Sequence, residues 1–192
     1  MKLDDLKGRV AEAFVEDILV QAGYWMARGG RESQLQRLMK KGSDDSPDFL
    51  ACKSHLTPAP PLHRLIAVEV KYRSDIGQFL RQEGLGVCSK LADQQWPEAY
   101  LVLVTDRPDS GKSCFQAIDL QVYVPGTEPI TVDLNQVPAL GVFETTVNKY
   151  ENLLKRMFEA VRAEPQKKPV GKLPSRAVAL LADLPVRGGM IA

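Results

Sequence analysis

The alternation of apolar and polar positions divides the chain into helical and extended stretches. Leu3, Leu6, Val10, Phe14, Ile18 and Ala22 recur at helical spacing and form one stripe, and Gly23 follows where a helix-ending glycine belongs. A short strand is expected at Tyr24 to Ala27, a polar helical insertion at Glu32 to Lys41 and a loop at Gly42 to Ser46. Pro47 to Lys53 reads as a strand with proline at its mouth, where a missing N–H is tolerated. The prolines of Ser54 to His63 make that segment an extended connection. Leu65 to Arg73 is the clearest strand. Its even positions Ile66, Val68, Val70 and Tyr72 are apolar, while its odd positions change from Leu65 and Ala67 to Glu69, Lys71 and Arg73.

A second helical region is expected between Asp75 and Gln95, interrupted near Gly84 and Gly86. Tyr100 to Thr105 is a continuous apolar run, as in a strand covered on both faces. Short strands are expected at Phe115 to Val124 and Ile130 to Leu134, followed by an amphipathic helix over Thr146 to Val161. Pro165, Pro169 and Pro174 interspersed with lysines divide residues 1–163, one folded domain, from a basic, proline-rich tail over 164–192 with a short helix at Ser175 to Ala182.

Composition narrows the function classes. With 25 Lys+Arg against 24 Asp+Glu, the formal net charge is +1, so no global field selects a nucleic acid or a membrane. Apolar runs are too short for a bilayer span, and Met1-Lys-Leu-Asp-Asp5 lacks the character of a secretory signal. The 3 cysteines, Cys52, Cys88 and Cys114, form no CxxC pair, which argues against a disulfide framework or a thiolate zinc site. These features suit a cytoplasmic protein with no membrane partner and no organic cofactor.

The informative chemistry is an acid-bearing first helix, then Pro47-Asp48, then Glu69-Val70-Lys71. Phosphodiester hydrolysis needs hard oxygen ligands around a divalent cation and a second positive group beside the attacking water. Residues two apart in a strand point the same way, so Glu69 and Lys71 project together while Val70 anchors the other face. Val70's carbonyl is a further candidate ligand.

This pattern resembles the PD-(D/E)XK nuclease superfamily at all its motif positions. Asp48 matches the aspartate of PD, and Glu69 and Lys71 match the acid and lysine of (D/E)XK. Gly8-Arg-Val-Ala-Glu12 resembles the first helix of the Holliday-junction-resolvase-like, restriction-endonuclease-like branch. The resemblance covers Lys7 to Thr105. It implies an α/β fold, a central mixed sheet flanked by helices in the order αβββαβ, here extended by C-terminal strands and a helix. It further implies a Mg²⁺-dependent endonuclease, with Mn²⁺ able to substitute, acting on DNA in repair, recombination or restriction, with a homodimer left open. Asp48, Glu69, Glu12 and the Val70 carbonyl are then the candidate metal ligands, and Asp48, Glu69, Lys71 and Glu12 the candidate catalytic set. Glu12 is preferred as the third acid, and Glu16, about 40° further toward solvent, is held in reserve.

Other features carry less. Arg28, Arg31, Lys53 and Arg73 are candidate phosphate contacts, and the tail residues Lys167, Lys168, Lys172 and Arg176 a further basic element. Gln94 and Gln95 end the second helix without an assigned role, as do His55 and His63. Gly111-Lys112-Ser113 imitates a P-loop, but Asp106 stands where its first glycine belongs and Pro108 removes a donor, so a hairpin turn is expected. Two rivals remain: a nuclease-like fold used only as a DNA-binding or protein-interaction module, with the Thr146 to Val161 helix as a dimer face, and a nucleotide-handling enzyme working through the Gly-Lys-Ser segment.

Overall fold

The structure is a computed structural model that describes residues 3–28, 47–54, 63–94, 96 and 98–163. The expected insertion helix at Glu32 to Lys41, most of the proline-rich connection and the tail from residue 164 lie outside the described residues, as do Arg31, His55 and Gln95.

Helix α1 (Leu3–Gln21) leads through a short β1 (Trp25–Arg28) into β2 (Phe49–Ser54) and β3 (His63–Tyr72). A helical crossover follows, made of α2 (Ile76–Phe79), a π-turn (Leu80–Gly84) and α3 (Leu85–Ala92). Then come β4 (Ala99–Val104), β5 (Phe115–Asp119), β6 (Val132–Asp133), a 3₁₀ turn (Leu134–Gln136) and α4 (Glu144–Ala163). The sheet order is β1-β2-β3-β4-β5-β6; β3 and β4 run parallel and the other pairs antiparallel. This mixed α/β architecture has the αβββαβ order expected of a restriction-endonuclease-like core, followed by the extra strands and helix.

Alternation along β3 sorts the molecule into two cores. Ile66, Val68 and Val70 face α1 and α4, meeting Val10, Phe14 and Ile18 from one helix and Tyr150, Leu154 and Phe158 from the other. Ala67 faces the crossover, together with Leu101, Leu103, Ile76 and Phe79. All six residues of β4 are buried, as a strand covered on both sides requires. Each large apolar side chain contributes roughly 2 kcal/mol on burial, whereas the partly exposed pair of Arg28 with Glu16 contributes under about 1 kcal/mol. Apolar packing, not surface charge, therefore seats α1.

The α1 stop is the one expected. Gly23 adopts φ 92°, and the N–H groups of Gly23 and Tyr24 return to the carbonyls of Val20 and Leu19. Asp75 caps the crossover by accepting from the Gln78 N–H at 2.7 Å. The helical region is not interrupted at Gly84. The extra residue is absorbed in the π-turn, and the missing side chain admits Pro129, whose Cγ would stand 3.2 Å from an added Cβ.

The later strands are shorter than expected. β5 ends at Asp119, whose carboxylate accepts from the Gln121 N–H and turns the chain, leaving Val122 and Val124 exposed. Only Val132 and Asp133 form β6; Ile130 is exposed and Leu134 opens the 3₁₀ turn. The Gly-Lys-Ser segment is the β4–β5 hairpin connection, with Gly111 at φ 78° and strand rather than helix after it, so the P-loop alternative has no cradle. The stripe of α4 is occupied by the protein's own core through Val147, Tyr150, Leu154, Met157 and Phe158, which removes it as a dimer face.

Candidate active site

The end of β2 creates the site. The β2–β3 ladder begins at the pair Phe49–Val68. Continued by its own register, it sets Asp48 opposite Glu69 and Pro47 opposite Val70. Even residues of β3 turn their backbone groups toward β2, since the odd Ala67 and Arg73 donate N–H to carbonyls on the β4 side. At Val70 the ladder fails for a covalent reason: Pro47 has no N–H to offer the Val70 carbonyl. Asp48 replaces the lost contact, its Oδ2 accepting from the Val70 N–H at 2.7 Å. The proline-aspartate pair thus stops the strand, orients the aspartate and leaves the Val70 carbonyl facing the opening.

Glu69 and Lys71 stand side by side on the opposite face from Val70. Lys71 Nζ donates to Glu69 Oε1 at 2.8 Å, with both side chains largely buried. Asp48 is pushed up to about 7, first by burial, then by the charges of Glu69 and Glu12, against the Val70 hydrogen bond and Lys71. Glu12, half-buried on α1, is also held above the usual carboxylate range, by burial and by Glu69 and Glu16, with Arg28 and Arg9 opposing. The carboxylates of Glu12, Asp48 and Glu69, drawn from three segments, therefore lie within electrostatic reach of one another. Glu16 differs in having its carboxylate paired with Arg28, with Nε at 3.4 Å from Oε1.

These acids are gathered but not closed around a point. Among the described residues no group of three or more His, Cys, Asp or Glu is arranged to hold a metal ion as it stands. Glu69 is turned onto Lys71 and Asp48 onto the Val70 N–H. The chemistry of the donors nevertheless suits a hard divalent cation, because a positive ion would stabilise the charged forms that burial, and then neighbouring acids, disfavour at Asp48 and Glu12. A cleft of about 450 Å³ opens beside the acids, between Val70 to Ser74 and the first turns of α1 at Asp4, Asp5 and Gly8.

The remaining candidates are scattered. Arg73 stacks 4.6 Å over the Phe79 ring and pairs with Glu83 at 3.2 Å. Lys53 lies 5.0 Å over the Tyr24 ring. Gln94 accepts from the Trp96 indole at 3.1 Å. None of these contacts joins the acidic cluster. What the sequence reading missed lies behind it: Lys7 donates to the Tyr72 hydroxyl at 2.9 Å, next to Lys71 along β3. The available signal was a lysine set inside the apolar stripe of α1.

No protein-family model matches the chain, and no curated protein matches it either. Among solved structures, the chain is similar to Archaeoglobus fulgidus Hjc, a Holliday junction resolvase from an archaeal hyperthermophile, at 17% identity and a TM-score of 0.37, covering 71% of this chain and 98% of that one. A likeness of that degree bears on neither substrate nor catalysis. No helix among the described residues is long and apolar enough to cross a membrane.

Proposed function

We propose that this chain is a metal-dependent endonuclease that hydrolyses DNA phosphodiester bonds. The observation that carries the reading is the crowding of Glu12, Asp48 and Glu69 at the broken end of the β2–β3 ladder, with the Lys71 ammonium 2.8 Å from one of them. Asp48 and Glu69 would hold Mg²⁺, or Mn²⁺ in its place, with the Val70 carbonyl as a neutral ligand and Glu12 engaged directly or through water. When bound, the cation supplies Lewis-acid stabilisation of the developing phosphorane charge and a more acidic water. The chain's own groups do the rest. The Val70 N–H fixes the orientation of Asp48, and Lys71 orients the attacking water and stabilises negative charge as it grows. Glu12 is preferred over Glu16, because Arg28 already neutralises Glu16.

The test is cleavage of plasmid and branched DNA with Mg²⁺, comparing the native chain with Asp48→Ala and Lys71→Ala. Both variants are expected to lose at least about a hundredfold in rate. Equal rates in all three proteins would remove the assigned site.

One observation favours a second reading, a nuclease-like fold that binds DNA or protein without cleaving. The Glu69–Lys71 pair closes on itself, and no described trio forms a ready ligand set. Calorimetry showing no uptake of Mg²⁺ or Mn²⁺, with DNA binding unaffected by Glu69→Gln, would establish this rival.

A further inference from the structure

Behind Glu69 and Lys71, on the other face of β3, four polar side chains from four segments form a continuous chain. Lys7 of α1, only 8% exposed, donates to the Tyr72 hydroxyl of β3 at 2.9 Å. That hydroxyl donates to Oδ1 of Asp106, in the turn after β4, and Oδ2 of Asp106 pairs with Arg162 in the last turn of α4. The Asp106 side chain is 2% exposed. Aromatic packing encloses the chain: Tyr72 meets Phe158 edge-on at 5.5 Å, and Lys7 Nζ lies 4.8 Å from the Tyr72 ring centre and 5.1 Å from that of Phe158.

Burying a lysine and an aspartate is expensive, and an apolar set of similar volume would hold the same four elements at lower cost. An apolar contact, however, tolerates sliding, whereas hydrogen bonds of fixed direction admit one register. The two elements joined by the Lys7–Tyr72 bond are those that carry the site. Tyr72 is the neighbour of Lys71, and Lys7 precedes Glu12 by five residues, about 7.5 Å along the α1 axis. A slip of α1 along the sheet would break the Lys7 bond and carry Glu12 away from Glu69.

We infer that the Lys7–Tyr72–Asp106–Arg162 chain is a positioning device that locks α1 to β3 in one register and so sets Glu12 against the Asp48–Glu69–Lys71 group. Its catalytic consequence rests on the metallonuclease reading above; its mechanical content does not. None of the four residues touches substrate or metal in this scheme.

Tyr72→Phe is the discriminating variant, because it keeps the ring on Phe158 and deletes only the hydroxyl. The matched control is Tyr150→Phe. That hydroxyl also joins α4 to α1, accepting from Gln21 at 2.8 Å and donating to Asp17, but at the far end of the helix. In the 192-residue chain, Tyr72→Phe is expected to weaken Mn²⁺ binding about tenfold by calorimetry, to lower kcat with the KM for DNA unchanged, and to speed amide exchange over residues 7–12. Tyr150→Phe is expected to leave all three as in the native protein. Indistinguishable behaviour of the two variants, or an unaltered Tyr72→Phe, would overturn the inference. Should the native chain take up no Mn²⁺, the metallonuclease reading fails by itself, and exchange over residues 7–12 decides the anchor: faster only in Tyr72→Phe sustains it, unchanged overturns it.

Discussion

Asp48 is the residue on which structure and stability pull against each other. Its carboxyl sits at about 7 instead of near 3.8 because burial and two neighbouring acids oppose its charge. The folded chain therefore binds this proton more tightly than the unfolded chain does. The resulting destabilisation is absent below about pH 4, grows as pH rises through the window between 3.8 and about 7, and is complete above it. Asp48→Asn keeps an acceptor for the Val70 N–H and removes the charge. It is expected to raise the Tm at pH 8, with the gain shrinking toward zero near pH 4, while abolishing cleavage; thermal melts across that range check the sign. A variant less stable than the native chain at pH 8 would contradict the crowding of the acids. The candidate acids themselves were legible because their signals are local, a Pro-Asp pair and an alternating strand. The sequence left Glu16 in reserve behind Glu12, and the proposed function prefers Glu12 because Arg28 pairs with Glu16. Lys7 and Asp106 were not legible in their roles, because their partner Tyr72 lies 65 and 34 residues away in the chain.

At the scale of elements, β3 was readable because its alternation reports both faces: apolar at even positions against α1 and α4, polar at the odd end where the crossover helices leave the sheet. β5 was read too long because residues 120–124 have strand composition, but the Asp119 carboxylate accepts from the Gln121 N–H and turns the chain there. The α4 stripe was legible as amphipathic; whether it met its own core or another copy depended on long-range packing that periodicity does not encode. That packing gives a plain expectation: Phe158→Ala should cost about 3–5 kcal/mol in urea unfolding, because its ring is fully buried against Tyr72 and Lys7. A polar seam joins α4 to the β4–β5 hairpin. Glu151 accepts from the Cys114 N–H at 2.7 Å and from the Ser113 hydroxyl at the same oxygen. Glu151→Ala leaves that buried N–H without its acceptor and should cost about 1–3 kcal/mol by the same measurement.

For the whole molecule, two apolar layers share one sheet, so both should be lost in one transition when the sheet melts. The boundary proposed after Ala163 is tested by cutting the chain there. The shortened protein is expected to keep the native Tm and cleavage rate, and a fall in Tm would assign the tail a structural part. Under the proposed function, the formal charge of +1 would leave DNA affinity to local contacts rather than a global field.

The placement of α4 across the same sheet face as α1 has a consequence for synthesis. Phe158 and Arg162 stand at the very end of the described chain, yet they complete the packing around Tyr72 that holds the first helix in place. A nascent polypeptide leaving the ribosome has Glu12, Asp48 and Lys71 in hand long before the helix that packs beside α1 emerges. Under the proposed function, the chain would stay inert through most of its translation, and a prematurely terminated fragment would carry the acids without the helix that packs beside α1.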